Sequence, residues 1–326
     1  MPADYTKTVE QTYIDAAVRI LRNNPSASCI VLASVQHPPS SLPPILPQAS
    51  PTAFGRILDP GKHQLPSWVP DWRLSEGTIL LAEPICPHYA HGDSTADIAI
   101  LNEQHKPVLR IRGVEMDIIE SCSRRLMSRD FFEKRTADRP LTAIELLWRD
   151  VCRLDRFNLD DTYRNGQATF FAFMQTLSNG CVQSAGHRGL PYHDIPDSVW
   201  LRKAARYLVD SLGASEEVMA DGIKAVTDVA ESEDDDDRWS RWAASASEGR
   251  VFARTRSGYY VLGPASMEAG DMVCVLLGCK VPFCLRPVDG RNCFLVGECY
   301  VHGLMKGEAM EMLARKEIHE RTFDLL

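Results

Sequence analysis

Apolar positions along this chain follow two different periods, and the change between them predicts where strands and helices lie. Over residues 97–121 and 250–302, short apolar runs are separated by Gly, Pro and Asp, which is typical of strands joined by turns. Leu109 and Ile111 alternate with arginines, as expected where one strand face meets solvent. Between about 140 and 230 the period lengthens to that of a helix.

The predicted helical block contains residues that are typical of helix N-termini. Thr142 and Glu145 have the spacing of a capping box, and the residues after them place an apolar stripe on one helix face. Further helices are predicted over the ranges 167–178, 197–212 (with Asp197 as N-cap) and 215–230.

The acidic run ESEDDDD at 231–237 is predicted to be a solvated loop. A calcium site is the alternative. Calcium loops interleave their carboxylates with a turn glycine, however, and this run contains none. The loop interpretation is therefore favoured.

The ends of the chain are also predicted to be helical. Residues 6–22 have helical spacing of apolar positions, with Thr6 as the expected N-cap. The apolar run at 28–35 is short enough to predict a strand. A last helix is predicted over 307–320.

Two tryptophans lie in the segment LPSWVPDWR at 65–73. Residues before proline are biased to extended backbone, so this segment is expected to be rigid and non-helical. Large aromatic side chains on a stiff loop fill a core or an interface in most proteins, which is the favoured role for Trp68 and Trp72. Ligand stacking is the alternative.

These elements together predict an α+β fold. An antiparallel sheet or partly closed barrel, with strands at about 97–121 and 250–302, is interrupted by a helical insertion at about 140–230 and flanked by N-terminal and C-terminal helices. We expect one intertwined domain over residues 1–326. Its predicted sub-regions are a helix with Pro- and Trp-rich loops at 1–95, a β core at 96–122 plus 250–326, and the helical insertion at 140–245.

Composition narrows the classes of function. The chain has 326 residues, a formal net charge of -8 and ten cysteines. An acidic chain is a poor nucleic-acid or anionic-membrane binder, since both need a basic surface. The N-terminus has no apolar secretion signal, and no apolar run approaches the length of a membrane span. We expect a cytoplasmic protein with reduced thiols that binds neither nucleic acid nor membrane.

Four segments resemble the C-terminal region of fungal heterokaryon-incompatibility (HET-domain) proteins. They are LPSWVPDWR, LRIRGVEMDII, GYYVLGPASMEAGDMVCVLLGCKVPFCLRPV and FLVGECYVHGLMKGEAM. The opening DYTKTVEQTYIDAA is similar to the end of the HET domain itself. The resemblance implies that most of the preceding HET domain, the cell-death effector of that family, is missing here. The family offers no established catalytic residues that could be assigned to positions of this chain.

The last predicted hairpin, turning at Asp289-Gly290, supplies the first candidate chemistry. Alternation predicts an apolar face with Phe283, Leu285 and Cys299. The opposite face is expected to carry Arg286, Glu298, Tyr300 and His302. A carboxylate, a phenol and an imidazole spaced two apart on one strand could perform acid–base catalysis. The alternative is a polar seam whose groups satisfy one another, and that alternative is favoured.

The second candidate cluster is the loop CPHYAHGD, which contains His88, His91 and Asp93. Cys, His and Asp are zinc ligands, but the spacing matches no common zinc motif, and surface histidines are the favoured interpretation. A histidine acting as acid or base at a pocket mouth is the other alternative. The chain has no Walker, GxGxxG, GxSxG or HExxH motif. We therefore predict no metal and no cofactor.

Two hypotheses of function follow. The first is a binding module for a small molecule or a protein partner, freed from its effector domain. The second is a fungal secondary-metabolism enzyme, a cofactor-independent cyclase or isomerase with acid–base residues in an apolar pocket. The candidate catalytic residues are His302, Glu298, Tyr300, His88, His91 and Asp93. The candidate binding residues are Trp68, Trp72 and Arg286.

Overall fold

The structure is a computed structural model of the chain. It describes residues 6–39, 41–45, 65–74, 87–102, 106–181, 197–211, 222–223 and 238–326. The acidic run at 231–237, Cys86 and nearly all of the helix predicted at 215–230 lie outside these ranges.

Nine strands form one sheet within the described residues. They are β1 (Ile98–Leu101), β2 (Val108–Arg125), β3 (Val251–Thr255), β4 (Tyr260–Gly263), β5 (Met272–Leu276), β6 (Phe283–Asp289), β7 (Asn292–Glu298), β8 (Tyr300–Val301) and β9 (Glu320–Leu325). Both predicted strand regions are therefore present, and the α+β class is confirmed.

Strand β2 organises the sheet because it is 18 residues long and pairs with four other strands. Its first half lies between β1 and β9, and its later residues pair with β5 and β3, all antiparallel. Pairings β2–β5–β6–β7–β9–β2 close a circuit, so the sheet is ring-like. The β7–β9 pairing is parallel. The early strands thus find their partners in the C-terminal region, as predicted.

A glycine permits close approach at the β2–β5 crossing. Gly113 pairs with Leu276, and a Cβ atom built on Gly113 would lie 2.6 Å from the carbonyl oxygen of Val275. Any larger residue would push the two strands apart. The alternating pattern of β2 is realised around it, since Leu109 and Ile111 are fully buried.

Seven helices accompany the sheet in the part of the chain described. They are α1 (Val9–Asn23), α2 (Ser28–Ala33), α3 (Ala143–Asp150), α4 (Thr169–Leu177), α5 (Asp197–Arg206), α6 (Arg238–Ser247) and α7 (Glu308–Ala314). The predicted capping box begins α3, where the Thr142 hydroxyl accepts from the Glu145 amide and the Glu145 carboxylate accepts from the Thr142 amide. None of these helices is both long and apolar enough to cross a bilayer.

Two apolar clusters lie on opposite sides of the sheet. The larger contains helices α1 to α6 and one sheet face, and the Phe173 ring of α4 lies 5.3 Å from the Phe252 ring of β3. The smaller contains the other sheet face, with Val114, Val275 and Cys284. The helical block therefore packs directly on the sheet, and the division into sub-regions stays a prediction.

Three predicted elements were wrong. Residues 28–33 form a helix, not a strand, and pack Val31 and Leu32 into the larger cluster. An apolar run this short does not distinguish the two by periodicity. Helix α1 is capped by Thr8, whose hydroxyl accepts from the Gln11 amide, and not by Thr6. The last helix ends at Ala314, and the chain closes with strand β9.

The predicted faces of the last hairpin were also wrong from Gly297 onward. Cys284 pairs with Gly297 and Leu285 pairs with Leu295, so Val296 is an extra residue that reverses the alternation. The positive φ of +147° at Gly297, which favours glycine, accompanies this shift. As a result Cys299 packs in the smaller cluster, while Tyr300 joins the larger cluster with Phe283 and Leu285. Glu298, Tyr300 and His302 therefore do not share a face with Arg286.

Candidate functional site

The structure brings three of the predicted site residues together at the interface of the sheet and the helical block. Tyr300 lies in β8, His302 follows that strand, and His88 comes from the loop before β1. The Tyr300 ring lies 5.8 Å from the His88 ring and 6.3 Å from the His302 ring, measured between centroids. We call these three residues the His–Tyr–His cluster. All three side chains are buried.

Both nitrogens of His302 are engaged inside the fold. Its Nδ1 lies 3.1 Å from the Tyr300 hydroxyl, and its Nε2 lies 2.7 Å from Oε1 of Gln167. Gln167 Oε1 also accepts from the Asn165 amide at 2.7 Å. Because an amide oxygen only accepts, this network assigns the proton to Nε2, and the Tyr300 hydroxyl donates to Nδ1.

The ring of His88 has fewer hydrogen-bond partners than that of His302. Its Nε2 and the Oδ1 of Asn179 make no hydrogen bond among the described residues. Asn179 nonetheless lies close enough to favour the charged imidazole, against the stronger effect of burial. Burial and the nearby Lys306 charge lower the pKa of His88 to about 4. The same two causes lower the pKa of His302 to about 4. Both imidazoles are therefore neutral at neutral pH.

A second tyrosine fixes the far side of the cluster. The Tyr163 hydroxyl accepts from the Tyr260 amide at 2.8 Å and donates to the His302 carbonyl at 3.3 Å. Burial is the main cause that raises the pKa of the Tyr163 phenol well above its ordinary value. This tyrosine therefore stays protonated and ties the segment before α4 to strands β4 and β8.

Glu298 belongs to a different contact. Its carboxylate lies 3.7 Å from Nη1 of Arg250, and Nη2 of Arg250 donates to the Glu298 carbonyl at 2.7 Å. A cavity of only about 30 Å³ adjoins this pair, which is space for about one water molecule. The carboxylate predicted to act beside Tyr300 and His302 is thus held by an arginine instead.

The remaining predicted catalytic residues make local contacts in their loop. The Tyr89 hydroxyl donates to the Asp93 carboxylate. Nδ1 of His91 lies 3.0 Å from the Ser94 carbonyl. Among the described residues, no group of three or more His, Cys, Asp or Glu side chains is placed to hold a metal ion.

The three predicted binding residues take different positions. Trp68 is fully buried, and its indole N–H donates to the Pro107 carbonyl at 3.1 Å. Trp72 is 44% exposed and lies edge-on to Tyr13 at 5.0 Å. Arg286 is buried in a bidentate contact with Asp271, at 2.8 and 3.0 Å. Of the three, Trp72 offers the most surface to a ligand.

Free thiols occur at Cys29, Cys122, Cys152, Cys274, Cys279, Cys284, Cys293 and Cys299, and all of these except Cys122 are buried. Cys29 and Cys279 lie in hydrogen-bond contact, and the Lys280 amide donates to Cys29 at 3.2 Å. Donation by the Cys279 thiol is the main cause that lowers the pKa of Cys29. This pair links α2 to the turn after β5.

A surface groove that sequence reasoning missed lies between the end of β2 and the start of α3. It has a volume of about 360 Å³ and opens to solvent. Its lining residues are Arg124, Glu133, Arg139, Pro140, Leu141, Ala143, Leu146 and Arg149. We call this the arginine groove. The sequence signal for it was Arg139 and Arg149 on either side of the apolar residues Pro140, Leu141, Ala143 and Leu146, which the overall acidity of the chain obscured.

Comparison with known proteins finds a family match in the C-terminal part of the chain. Residues 216–320 match the family model described as the Het-6 beta-barrel domain. A stretch of 75 residues is 35% identical to heterokaryon incompatibility protein 6, OR allele, of Neurospora crassa, covering 22% of this chain and 11% of that protein. No solved structure matches. The predicted resemblance to the C-terminal region of heterokaryon-incompatibility proteins is confirmed over this part of the chain.

Proposed function

We propose that the chain is a binding module related to the C-terminal region of heterokaryon-incompatibility proteins, and that it recognises a protein partner. The observation that carries this proposal is the contrast between the two candidate sites. The acid–base groups of the His–Tyr–His cluster are buried and largely engaged by the fold, whereas the 360 Å³ arginine groove is open to solvent.

The engagement of the cluster supports a structural role for it. His302 uses both ring nitrogens on internal partners, Glu298 is held by Arg250, and Asp93 accepts from Tyr89. A general base must reach its substrate within hydrogen-bond distance, and a group already bound on both sides does not. These residues therefore act as polar links between elements.

The test is reconstitution of a complex from purified components. Partners are trapped by cross-linking in fungal cells that express the chain, and each candidate is then purified and titrated against it by calorimetry. A saturable one-to-one complex supports the proposal. If no purified candidate binds, the proposal fails.

The His–Tyr–His cluster favours one second candidate, the cofactor-independent acid–base enzyme. Its specific support is that two histidines are kept neutral in contact with a phenol, the state in which an imidazole accepts a proton. The test is a metabolite screen with the wild-type chain and the His302→Gln variant. Turnover by the wild type that the variant loses would favour the enzyme.

A further inference from the structure

We infer that Cys29 and Cys279 form a reversible disulfide when the protein meets hydrogen peroxide, and that this bond fastens helix α2 to the turn after strand β5. The inference goes beyond the proposed partner-binding function and does not depend on it. Its basis is the contact between two free thiols that come from distant parts of the chain.

The two thiols are already neighbours in the fold. The Cys279 thiol donates to Sγ of Cys29, and the backbone amides of Lys280 and Val281 also donate to that sulfur, the Lys280 amide at 3.2 Å. Cys29 lies in α2 and Cys279 lies in the turn between β5 and β6, so only the folded chain brings them together. Two cysteines can be bridged where their backbones already lie close, and thiols in hydrogen-bond contact meet that condition.

Cys29 is the nucleophile of the pair. Its sulfur accepts from one thiol and two amides, and these donors stabilise the negative charge of a thiolate. Donation by Cys279 is the main cause that lowers the pKa of Cys29. The same hydrogen bond is the main cause that raises the pKa of Cys279. Because the thiolate is the form that attacks a peroxide, Cys29 reacts first and Cys279 follows.

Exposure alone does not make a cysteine of this chain reactive. Cys122 is more exposed than Cys29, yet burial raises the pKa of Cys122 to about 12. Burial likewise raises the pKa of Cys293 to about 12. Thiols with such values carry almost no thiolate at neutral pH, so neither should compete with Cys29 for a peroxide.

The pair lies just beneath the protein surface. Cys29 itself is buried, but its helix neighbour Ile30 is 60% exposed, and Lys280, which follows Cys279, is exposed. Hydrogen peroxide is not much larger than water, so a small local opening of the fold is enough to admit it. A small oxidant can therefore reach the Cys29 sulfur without global unfolding.

The reaction takes two steps and consumes one molecule of hydrogen peroxide. The Cys29 thiolate attacks one peroxide oxygen, so that a sulfur–oxygen bond forms, the oxygen–oxygen bond breaks, and the departing hydroxide takes up a proton to become water. Cys29 is then a sulfenic acid, without the negative charge that held the Cys279 proton. The Cys279 sulfur attacks Cys29, the sulfur–oxygen bond breaks, and a second hydroxide leaves with the Cys279 proton as water. The two thiols lose the two electrons that the peroxide gains.

The disulfide closes a loop that spans most of the chain. It ties α2, which packs Val31 and Leu32 into the larger apolar cluster, to the antiparallel pair of β5 and β6. Closing a long loop restricts the unfolded chain, so the oxidised protein should resist denaturation better than the reduced protein. The bond is therefore an oxidant-dependent lock on helix α2.

The test is peptide mapping of the whole chain after treatment with hydrogen peroxide. The protein is reduced, freed of reductant and treated while folded at neutral pH, and its digest is then analysed by mass spectrometry without reduction. We expect two peptides joined through Cys29 and Cys279, which a dithiol reductant separates again. The urea midpoint of the oxidised protein should lie above that of the reduced protein and return to it on reduction.

Two variants separate the roles of the thiols. Cys279→Ser cannot form the disulfide, so the Cys29 sulfenic acid should persist and be trapped by dimedone, and peroxide should leave the urea midpoint unchanged. Cys122→Ser is the matched control, since it removes a more exposed thiol that lies outside the pair. It should form the disulfide as the wild type does. Circular dichroism melting confirms that each variant is folded, and the mapping of the wild type needs no variant.

Three results would overturn the inference. The first is a Cys29 that stays a thiol at peroxide concentrations that oxidise free cysteine in the same buffer. The second is a disulfide that joins Cys29 to a cysteine other than Cys279, or oxidation of Cys122 before Cys29. The third is complete formation of the predicted disulfide with no change in the urea midpoint, which would refute the lock on α2.

Discussion

The hydroxyl of Tyr300 lies 3.1 Å from Nδ1 of His302, and it donates to that nitrogen while Gln167 occupies the other side of the ring. The pair joins strand β8 to the segment that precedes α4. An imidazole with a neutral, buried ring and a partner on each nitrogen is a structural link.

Tyr300→Phe should destabilise the chain by about 1–3 kcal/mol, because it leaves a buried imidazole acceptor without its donor. The free energy of unfolding is measured by urea denaturation. Tyr89→Phe is the control, since it removes the hydroxyl bond from Tyr89 to Asp93 at the surface, where Tyr89 is 42% exposed. A cost below about 0.5 kcal/mol is expected there. Equal costs for the two variants would refute the buried link.

Stability should fall as pH falls from about 6.5 to about 4. The folded pKa of both His88 and His302 is lowered to about 4, below the value of 6.5 that an unfolded histidine has. In this window the unfolded chain binds more protons, so stability present above pH 6.5 is lost toward pH 4, by about 3 kcal/mol per histidine. The slope of the unfolding free energy against pH measures it.

The His302→Gln variant isolates that effect. It removes one of the two titrating groups, so its slope in this pH window should be smaller by about 1.4 kcal/mol per pH unit, the value for one proton. An unchanged slope in His302→Gln would show that His302 titrates normally in the folded state.

Replacing each of the two tryptophans of the loop with alanine should cost very different amounts of stability. Trp68→Ala removes a fully buried ring and its hydrogen bond to Pro107, and should cost about 3–5 kcal/mol. Trp72→Ala loses an edge contact with Tyr13, for about 1 kcal/mol. Thermal and urea denaturation compare them. Similar losses would mean that Trp72 is as much a part of the core as Trp68.

Arg286→Met should be among the most destabilising substitutions, at about 3–5 kcal/mol, because it leaves the Asp271 carboxylate buried without its partner. Burial already raises the pKa of Asp271, so the deficit should grow as pH rises and shrink in acid, where Asp271 is protonated. Arg112→Met, which removes exposed pairs with Asp97 and Glu320, is the control and should cost little. A deficit independent of pH would contradict the ion-pair account.

Much of the fold could be predicted from local patterns. Alternation in β2 and the capping box at Thr142 are strong short-range signals, and both occur as predicted. The strand prediction for residues 28–33 was wrong, because a short apolar segment that is buried on both sides has the same pattern in a helix and in a strand. Strand β9 is stabilised by pairing with β2, a contact more than 200 residues distant that no local pattern reveals.

The candidate site was predicted in part. Tyr300 and His302 do contact each other, but the bulge at Val296 places them on the face opposite Arg286, and Arg250 holds the Glu298 carboxylate. A single extra residue reverses every later position on a strand, and only the pairing partner shows where it lies. His88 joined the cluster from a loop about 210 residues earlier, which depends on tertiary packing alone.

The most direct test of the binding-module account is calorimetric titration of a purified partner with the wild type and with His302→Gln, at a temperature where both are folded. The account predicts a one-to-one complex that His302→Gln leaves unchanged. It is contradicted if no purified partner binds and the wild type instead turns over a metabolite that His302→Gln cannot.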